Sequence, residues 1–244
     1  MRLTDRVSVI GGGGLGYRLS SFYDCNVYAL ETGAETIVID AGSGIEPELL
    51  FGRLAERGVR PERIGKLLLT HGHADHAGGA AEWKARYGVQ VIAAASTSVM
   101  VESGDEIRTS LAQARAAGTY PEWYRLAPCP IDRIVRVGED IRSGDLTLRI
   151  VSAAGHSFDM IAAYCPELKA LFAGDAVFAE GRLAVIDTPD FSMDRYRETI
   201  AGLALLDVEQ LYPGHGEALT RDGREAIRLA NDRFVRGLEP LSIV

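Results

Sequence analysis

The chain has 244 residues, with 26 lysines and arginines against 34 aspartates and glutamates, for a formal net charge of −8 at pH 7. Apolar residues make up 47% and charged residues 25%, proportions that are ordinary for a globular protein with a sizeable core. The negative balance argues against a nucleic-acid-binding protein, because phosphate contacts need clustered lysine and arginine. We therefore expect a small-molecule substrate and no nucleic acid.

The cysteines and the amino terminus bear on the cellular compartment. Cys25, Cys129 and Cys165 are widely spaced and form no Cys-x-x-Cys pair, which argues against a disulfide framework and favours a reducing environment. The charged start, residues 1–6, leads into an apolar run that is too short for a signal peptide. No stretch approaches the roughly 18 apolar residues that span a membrane. We expect a cytoplasmic protein with no membrane partner.

The first part of the chain alternates short strands with helices. Runs rich in β-branched and apolar residues predict strands at 7–10, 27–31, 36–39, 66–69 and 89–93. Leucines at helical spacing predict a helix over 47–57, and a second helix is predicted over 77–87. The succession of strand, loop, helix and strand is typical of an α/β protein.

The middle of the chain, residues 96–130, interrupts this alternation. It predicts a helix over 105–117, followed by an aromatic loop and a proline-rich break, and we interpret it as a helical insertion that caps an active site. The β pattern then resumes, with strands predicted at 134–137, 146–151, 161–164, 170–173 and 210–212. Helices are predicted over 194–206 and 224–236. We expect one domain over residues 1–244.

The histidines carry the strongest chemical signal. His71, His73 and His76 lie in one run, Thr-His-Gly-His-Ala-Asp-His, which also contains Asp75. The other donors each follow a later predicted strand and lie beside a glycine: His156, Asp175 and His215. Side chains at the ends of strands can meet in one crevice of an α/β protein. Imidazoles and carboxylates without thiolates favour Zn²⁺, with Fe, Mn and Co as alternatives.

The spacing of these donors favours two ions over one. Four donors within six residues can hardly all bind a single tetrahedral ion, because the loop is too short to wrap around it. One natural division gives His71 and His73 to one ion, and Asp75 and His76 to the other. His156 and His215 would complete the respective shells, and Asp175 would bridge. The sequence therefore predicts two Zn²⁺ ions.

These residues resemble the ligand signature of the metallo-β-lactamase superfamily. The His-x-His-x-Asp-His motif matches residues 71–76 without a gap, and the family's later ligands map onto His156, Asp175 and His215 in order. The resemblance covers essentially the whole chain. It implies an α/β fold, a four-layer αβ/βα sandwich of two mixed sheets with helices on the outer faces and the metals at one edge.

The resemblance also implies a hydrolase. A hydroxide held between two metal ions would attack a carbonyl carbon of an ester, a thioester or a lactone. Asp75 is the candidate catalytic residue, since besides acting as a ligand it could orient the hydroxide or give a proton to the leaving group.

Four aromatic residues are candidate substrate contacts: Phe178, Tyr120, Trp123 and Tyr124. Phe178 lies three residues after Asp175, where lactonases of the family usually carry tyrosine, and it resembles instead the Gly-Asp-x-x-Phe pattern of glyoxalase II-like thioesterases. Aromatic packing of the 119–125 loop against the body of the protein is an equally good interpretation of the other three.

Two alternatives remain open at this stage. Persulfide dioxygenases share the implied fold and bind one Fe through two histidines and one aspartate, which here would be His71, His156 and Asp175. The glycines of 11–16 formally satisfy a dinucleotide-binding pattern, but no helix is predicted to begin there, so we expect a loop. A homodimer is compatible with the sequence.

Overall fold

The computed structural model describes residues 1–244 and contains two β-sheets with helices outside them. The strands are β1 (Val7–Gly11), β2 (Val27–Glu31), β3 (Thr36–Ile39), β4 (Ile64–Leu68), β5 (Gln90–Ala94), β6 (Arg133–Val135), β7 (Asp140–Ser143), β8 (Leu146–Ser152), β9 (Ile161–Cys165), β10 (Ala170–Gly174) and β11 (Gln210–Pro213). The helices are α1 (Pro47–Phe51), α2 (Ala74–Ala77), α3 (Ala80–Tyr87), α4 (Ala95–Ser103), α5 (Leu111–Ala116), α6 (Met193–Leu203) and α7 (Gly223–Val235).

Both sheets are mixed. The first runs in the order β1-β2-β3-β4-β5-β6, antiparallel up to β3 and parallel from there to β6. The second runs in the order β11-β10-β9-β8-β7, in which only β10 and β11 are parallel. Parallel neighbours end at the same edge of a sheet, so the loops after β4, β10 and β11 can supply side chains to one site.

Because successive side chains of a strand point to opposite faces of the sheet, the apolar residues form three core layers. In β2, Tyr28 and Leu30 point into the core between the two sheets, while Val27 and Ala29 point to the outer face that Trp83 of α3 covers. A third core lies under α6 and α7 on the outer face of the second sheet. The predicted four-layer sandwich is confirmed.

The helix predicted over 47–57 is wrong in its extent. The α-helix ends at Phe51, and the chain continues as turns to Gly58. The buried guanidinium of Arg57 folds back and donates to the carbonyls of Leu49, at 3.3 Å, and of Ile10. The arginine thereby ties this segment of turns to β1.

The middle segment also differs from its predicted elements. Its first helix, α4, is one that the sequence reading missed, and Gly104 ends it in the left-handed conformation, with φ of 63°. The helix predicted over 105–117 is shorter because Ser110, at φ of 57°, interrupts the chain just before α5. β7 was missed as well, and it pairs with β8 through a tight turn at Gly144.

The glycine-rich loop after β1 leads through turns into β2, so no helix presents its amino terminus there, as expected. No helix in the structure is both long enough and apolar enough to cross a membrane.

Candidate metal centre

The loop after β4 gathers four donor side chains at the edge of the first sheet. His71 and His73 lie on the extended chain that leaves β4, and their ring centroids are 4.6 Å apart. Asp75 and His76 lie in the single turn of α2 that follows. The His76 ring turns back toward His71, with 4.1 Å between the centroids. A change from extended chain to helix thus directs donors from both halves of the motif into one space.

The second sheet supplies the other three donors. His156 follows β8, Asp175 directly follows β10, and His215 is the second residue after β11. Because β10 and β11 are parallel neighbours, their ends coincide, and Asp175 Oδ2 lies 3.3 Å from His215 Nε2. The same carboxylate oxygen lies 3.5 Å from His156 Nε2.

The seven donors form overlapping groups in which the ligand atoms lie within 4.8 Å of one another. One group contains His71, His73 and His156, and another contains Asp75, His76 and His215. Asp175 joins His71 and His76 in a third group, so it lies between the other two. The structure therefore brings together all the residues predicted as ligands, but the groups share His71 and His76, so the division of the ligands between two ions stays a prediction. Their binding of metal stays a prediction.

Unpartnered polar atoms inside this cluster fit such ions. His71 Nε2, His76 Nε2 and Asp175 Oδ1 are buried and have no hydrogen-bond partner. The opposite nitrogens of the two imidazoles are engaged: His71 Nδ1 lies 3.0 Å from Thr70 Oγ1, and His76 Nδ1 lies 2.8 Å from Asp40 Oδ2. Buried polar atoms left without partners are costly in a folded protein, and cations between them would remove that cost.

Asp40 supports the ligand cluster, although the sequence did not predict a role for it. It follows β3 and accepts from the backbone N–H of Thr70, at 2.7 Å, from the Thr70 hydroxyl, at 2.9 Å, and from His76 Nδ1, at 2.8 Å. It therefore fixes both the start of the histidine loop and one ligand ring, as carboxylates behind metal-binding histidines commonly do. An aspartate directly after a buried strand was the available signal.

The sequence did not predict a role for Asp190 either, because no motif or periodic pattern around it indicates one. Its Oδ2 lies 2.8 Å from His73 Nε2, and its Oδ1 accepts from the Ser110 hydroxyl at 2.8 Å. The other ring nitrogen of His73, Nδ1, is 3.0 Å from His156 Nε2 and faces the ligand cluster. His156 is held in turn through Nδ1, 3.1 Å from the carbonyl of Ala184.

Burial and the neighbouring carboxylates shift the pKa values of the ligand histidines in opposite directions. Burial lowers the pKa of His156 to about 4, so this imidazole is neutral, as a metal ligand must be. Burial would also lower the pKa of His215, but the Asp175 and Asp75 carboxylates outweigh it and raise the value to about 9. The clustered acids thus attract positive charge to this part of the site.

A cavity of about 370 Å³ opens beside the ligand cluster. Part of its wall comes from the middle segment, including Tyr120, whose hydroxyl donates to Asp75 Oδ1 at 3.3 Å. Of the four aromatic residues proposed as substrate contacts, only Tyr120 lines this cavity.

The other three aromatic side chains have different surroundings. Tyr124 is buried and donates from its hydroxyl to the carbonyl of Ser43 at 2.6 Å. Trp123 is 67% exposed and packs edge-on against Tyr124. Phe178 is buried, and the centroid of its ring lies 6.3 Å from that of His215. Tyr124 and Phe178 are therefore packed inside the protein, and Trp123 lies on the surface.

Replacing Tyr120 with phenylalanine is expected to lower turnover by roughly two- to tenfold, since one hydrogen bond to Asp75 contributes about 0.5–1.5 kcal/mol. Steady-state kinetics of the metal-loaded protein measure this. Tyr23→Phe is the matched control. The Tyr23 ring stacks on the Tyr120 ring, with 5.7 Å between the ring centroids, and the Tyr23 hydroxyl makes no hydrogen bond. Equal losses in both variants would contradict a specific role for the Tyr120 hydroxyl.

Together, the two mixed sheets and the edge that gathers histidines and aspartates from both define a four-layer αβ/βα protein with a candidate binuclear metal centre. A sequence profile described as the metallo-β-lactamase superfamily matches residues 21–215. The chain belongs to this superfamily.

The curated relatives are longer than the part of each that this chain matches. A thioesterase of Emericella nidulans is 27% identical over 224 residues, covering 91% of this chain and 55% of the relative. An atrochrysone carboxyl ACP thioesterase of Aspergillus fumigatus is 29% identical, covering 96% and 63%. A hydroxyacylglutathione hydrolase of Methylobacterium is 30% identical, covering 71% and 53%. The chain thus spans between about half and two thirds of the length of these relatives.

Solved structures share the fold. A metallo-β-lactamase from Cronobacter sakazakii with a mutated HARLDQ motif has a TM-score of 0.73 at 18% identity, covering 97% of this chain and 95% of that one. A subclass B3 metallo-β-lactamase of Bradyrhizobium japonicum has a TM-score of 0.70 at 21% identity, covering 97% and 92%.

Proposed function

We propose that this protein is a metal-dependent hydrolase that cleaves an ester, thioester or lactone bond of a small molecule at a centre of two zinc ions. The observation that carries the proposal is the pair of three-donor groups with Asp175 between them, beside an open cavity. The printed names of the relatives, which include two thioesterases and a hydroxyacylglutathione hydrolase, support a thioester or ester bond.

The chain's own residues determine what the centre can do. His71, His73 and His156 would hold one ion, and Asp75, His76 and His215 the other, with Asp175 shared. Bound there, two ions would supply an activated water at neutral pH and a Lewis acid for the carbonyl oxygen. No serine or cysteine nucleophile is needed for that chemistry.

Asp75 is the residue that we propose moves a proton. Its Oδ2 lies 3.1 Å from His215 Nε2, on the ligand side, while its Oδ1 accepts from Tyr120 on the cavity side. One carboxylate therefore faces both the ligand group and the space for substrate. The Tyr120 hydroxyl donates to Oδ1, and in this proposal it orients the carboxylate to pass a proton from the attacking water to the leaving oxygen or sulfur.

Metal analysis together with a substrate panel tests the proposal. Protein purified without added metal is expected to contain two zinc ions per chain, and to hydrolyse at least one of an aryl ester, a thioester and an acyl-homoserine lactone. A chelator should abolish turnover and added Zn²⁺ should restore it. One iron per chain with oxygen uptake on a persulfide would instead establish the dioxygenase reaction, and two bound zinc ions without turnover of any of the three bond types would refute hydrolysis.

A further inference from the structure

Half of the residues that line the cavity beside the ligand cluster are hydrophobic. Helix α5 supplies Leu111 and Ala114, the loop after β10 supplies Ile186, and the last residues described supply Ile243 and Val244. These segments are far apart in the chain. Their apolar side chains converge only through the tertiary fold, which gives the cavity an extended apolar lining next to the reacting centre.

Charge is confined to one end of this cavity. Its charged lining residues are Asp75 and Asp175, which belong to the ligand cluster, together with the ligand histidines. No lysine or arginine lines it. With the carbonyl of the scissile bond held at the proposed zinc ions, a carboxylate further along the acyl group would lie against the wall and lose its hydration without gaining a lysine or arginine partner, which is unfavourable.

Several polar side chains in the wall are already engaged within the protein. The Ser110 hydroxyl donates to Asp190, the Gln113 amide donates to the carbonyl of Asp187 at 2.8 Å, and the Thr109 hydroxyl donates to the carbonyl of Asp105 at 2.7 Å. Each of these hydrogen bonds removes one donor from those that the wall could offer to a charged acyl group.

The segment that carries Ile243 is fixed to the body of the protein. The N–H of Leu183 donates to the carbonyl of Leu241 at 2.8 Å, and the N–H of Ile243 donates back to the carbonyl of Leu183 at 3.0 Å. The N–H of Val185 also donates to the Ser242 hydroxyl at 3.3 Å. This ladder orders residues 241–244 beside the loop after β10, so Ile243 has a defined place in the wall.

We propose that the cavity selects an uncharged, apolar acyl group, and that Ile243 together with Ala114 on the facing helix determines which acyl groups fit. This inference rests on the proposed hydrolysis and names the substrate class for it. Ile243 supplies an apolar surface, and Ala114 leaves room because its side chain is a single methyl group.

The test compares two acyl groups of nearly the same shape on the same leaving group. A 4-methylpentanoyl group and a succinyl group differ mainly in that two methyl groups replace two carboxylate oxygens. With the zinc-loaded protein, we expect kcat/KM to be about 100-fold or more higher for the 4-methylpentanoyl compound, because the cavity wall offers no lysine or arginine to the carboxylate at the far end of the succinyl group. Equal rates, or a preference for succinyl, would overturn the proposal.

Variants locate the selectivity. Ile243→Lys is expected to reduce the ratio at least tenfold by placing a cation in the wall, whereas Leu241→Lys, on the same segment but outside the cavity, should leave it unchanged. Ala114→Leu should lower kcat/KM for an octanoyl compound at least tenfold relative to the acetyl compound. An unchanged ratio in Ile243→Lys together with an unchanged chain-length profile in Ala114→Leu would contradict the assignment of these residues.

Calorimetry separates this proposal from the proposed reaction. The zinc-loaded protein is titrated with 4-methylpentanoate and with succinate, neither of which needs to be cleaved and each of which carries one carboxylate that the zinc ions can bind. Tighter binding of 4-methylpentanoate, reduced by Ile243→Lys but not by Leu241→Lys, supports the selectivity even if no ester is hydrolysed. Binding of succinate as tight as that of 4-methylpentanoate refutes it, whether or not the protein is a hydrolase.

Discussion

Replacing Asp175 with asparagine is expected to reduce the metal content below two ions per chain and to lower hydrolysis by roughly 10³-fold, because metal catalysis is worth several kcal/mol of barrier. The asparagine keeps the shape of the side chain but removes the negative charge between two groups of donors. Asp175 Oδ1 lies 3.4 Å from His76 Nε2, and Oδ2 lies close to both His156 and His215. No other carboxylate lies between the groups in this way.

Elemental analysis and steady-state kinetics measure the two effects of Asp175→Asn, and circular dichroism checks that the variant is folded. Asp194→Asn is the control, because the Asp194 side chain is 89% exposed and pairs only with Arg197. It should retain full metal content and turnover. Two tightly bound ions and wild-type turnover in Asp175→Asn would show that the aspartate is not a shared ligand.

Replacing Asp40 with asparagine is expected to destabilise the protein by about 2–3 kcal/mol and to weaken metal binding by about 10- to 100-fold. Asp40 is buried and accepts three hydrogen bonds, two from Thr70 and one from His76. An asparagine offers only one oxygen, so its amide group would face donors. At least one of those buried donors would lose its partner, and the His76 ring would lose its orientation.

Thermal unfolding and a competitive chelator titration measure these effects. For a chain of this size the expected loss corresponds to a fall in Tm of roughly 5–10 °C. Asp140→Asn is the control: its carboxylate is paired with Arg149 on the surface at 3.0 Å, and its loss should change neither Tm nor metal affinity appreciably. Wild-type metal affinity in Asp40→Asn would show that His76 needs no carboxylate behind it.

The strands could be predicted well because their apolar runs are local. Those of β2 and β3 match the sequence prediction residue for residue, and most others differ by one or two residues at an end. The bounds of the helices were harder to predict, because the sequence pattern does not show where the backbone leaves the helical conformation. The first helix ends at Phe51, and Arg57 ties the turns after it to the carbonyl of Ile10, while the left-handed Ser110 divides the middle segment.

The sequence by itself determined the seven candidate ligands, because ligand chemistry depends on residue type and because the motif at 71–76 is continuous along the chain. It also predicted their division between two ions, since a loop of six residues can hardly wrap all its donors around one ion, and that division stays a prediction. The superfamily and its four-layer fold followed from the same residues.

Only the tertiary structure decided what surrounds those ligands. Asp40 and Asp190 reach their histidines from other loops, Tyr120 reaches Asp75 from the middle segment, and Ile243 enters the cavity wall from the far end of the chain. Each of these contacts joins residues at least 36 positions apart, and no periodicity or short motif records such a contact. The ligands are a local property of the sequence, whereas the supporting carboxylates and the acyl cavity depend on how the two sheets pack.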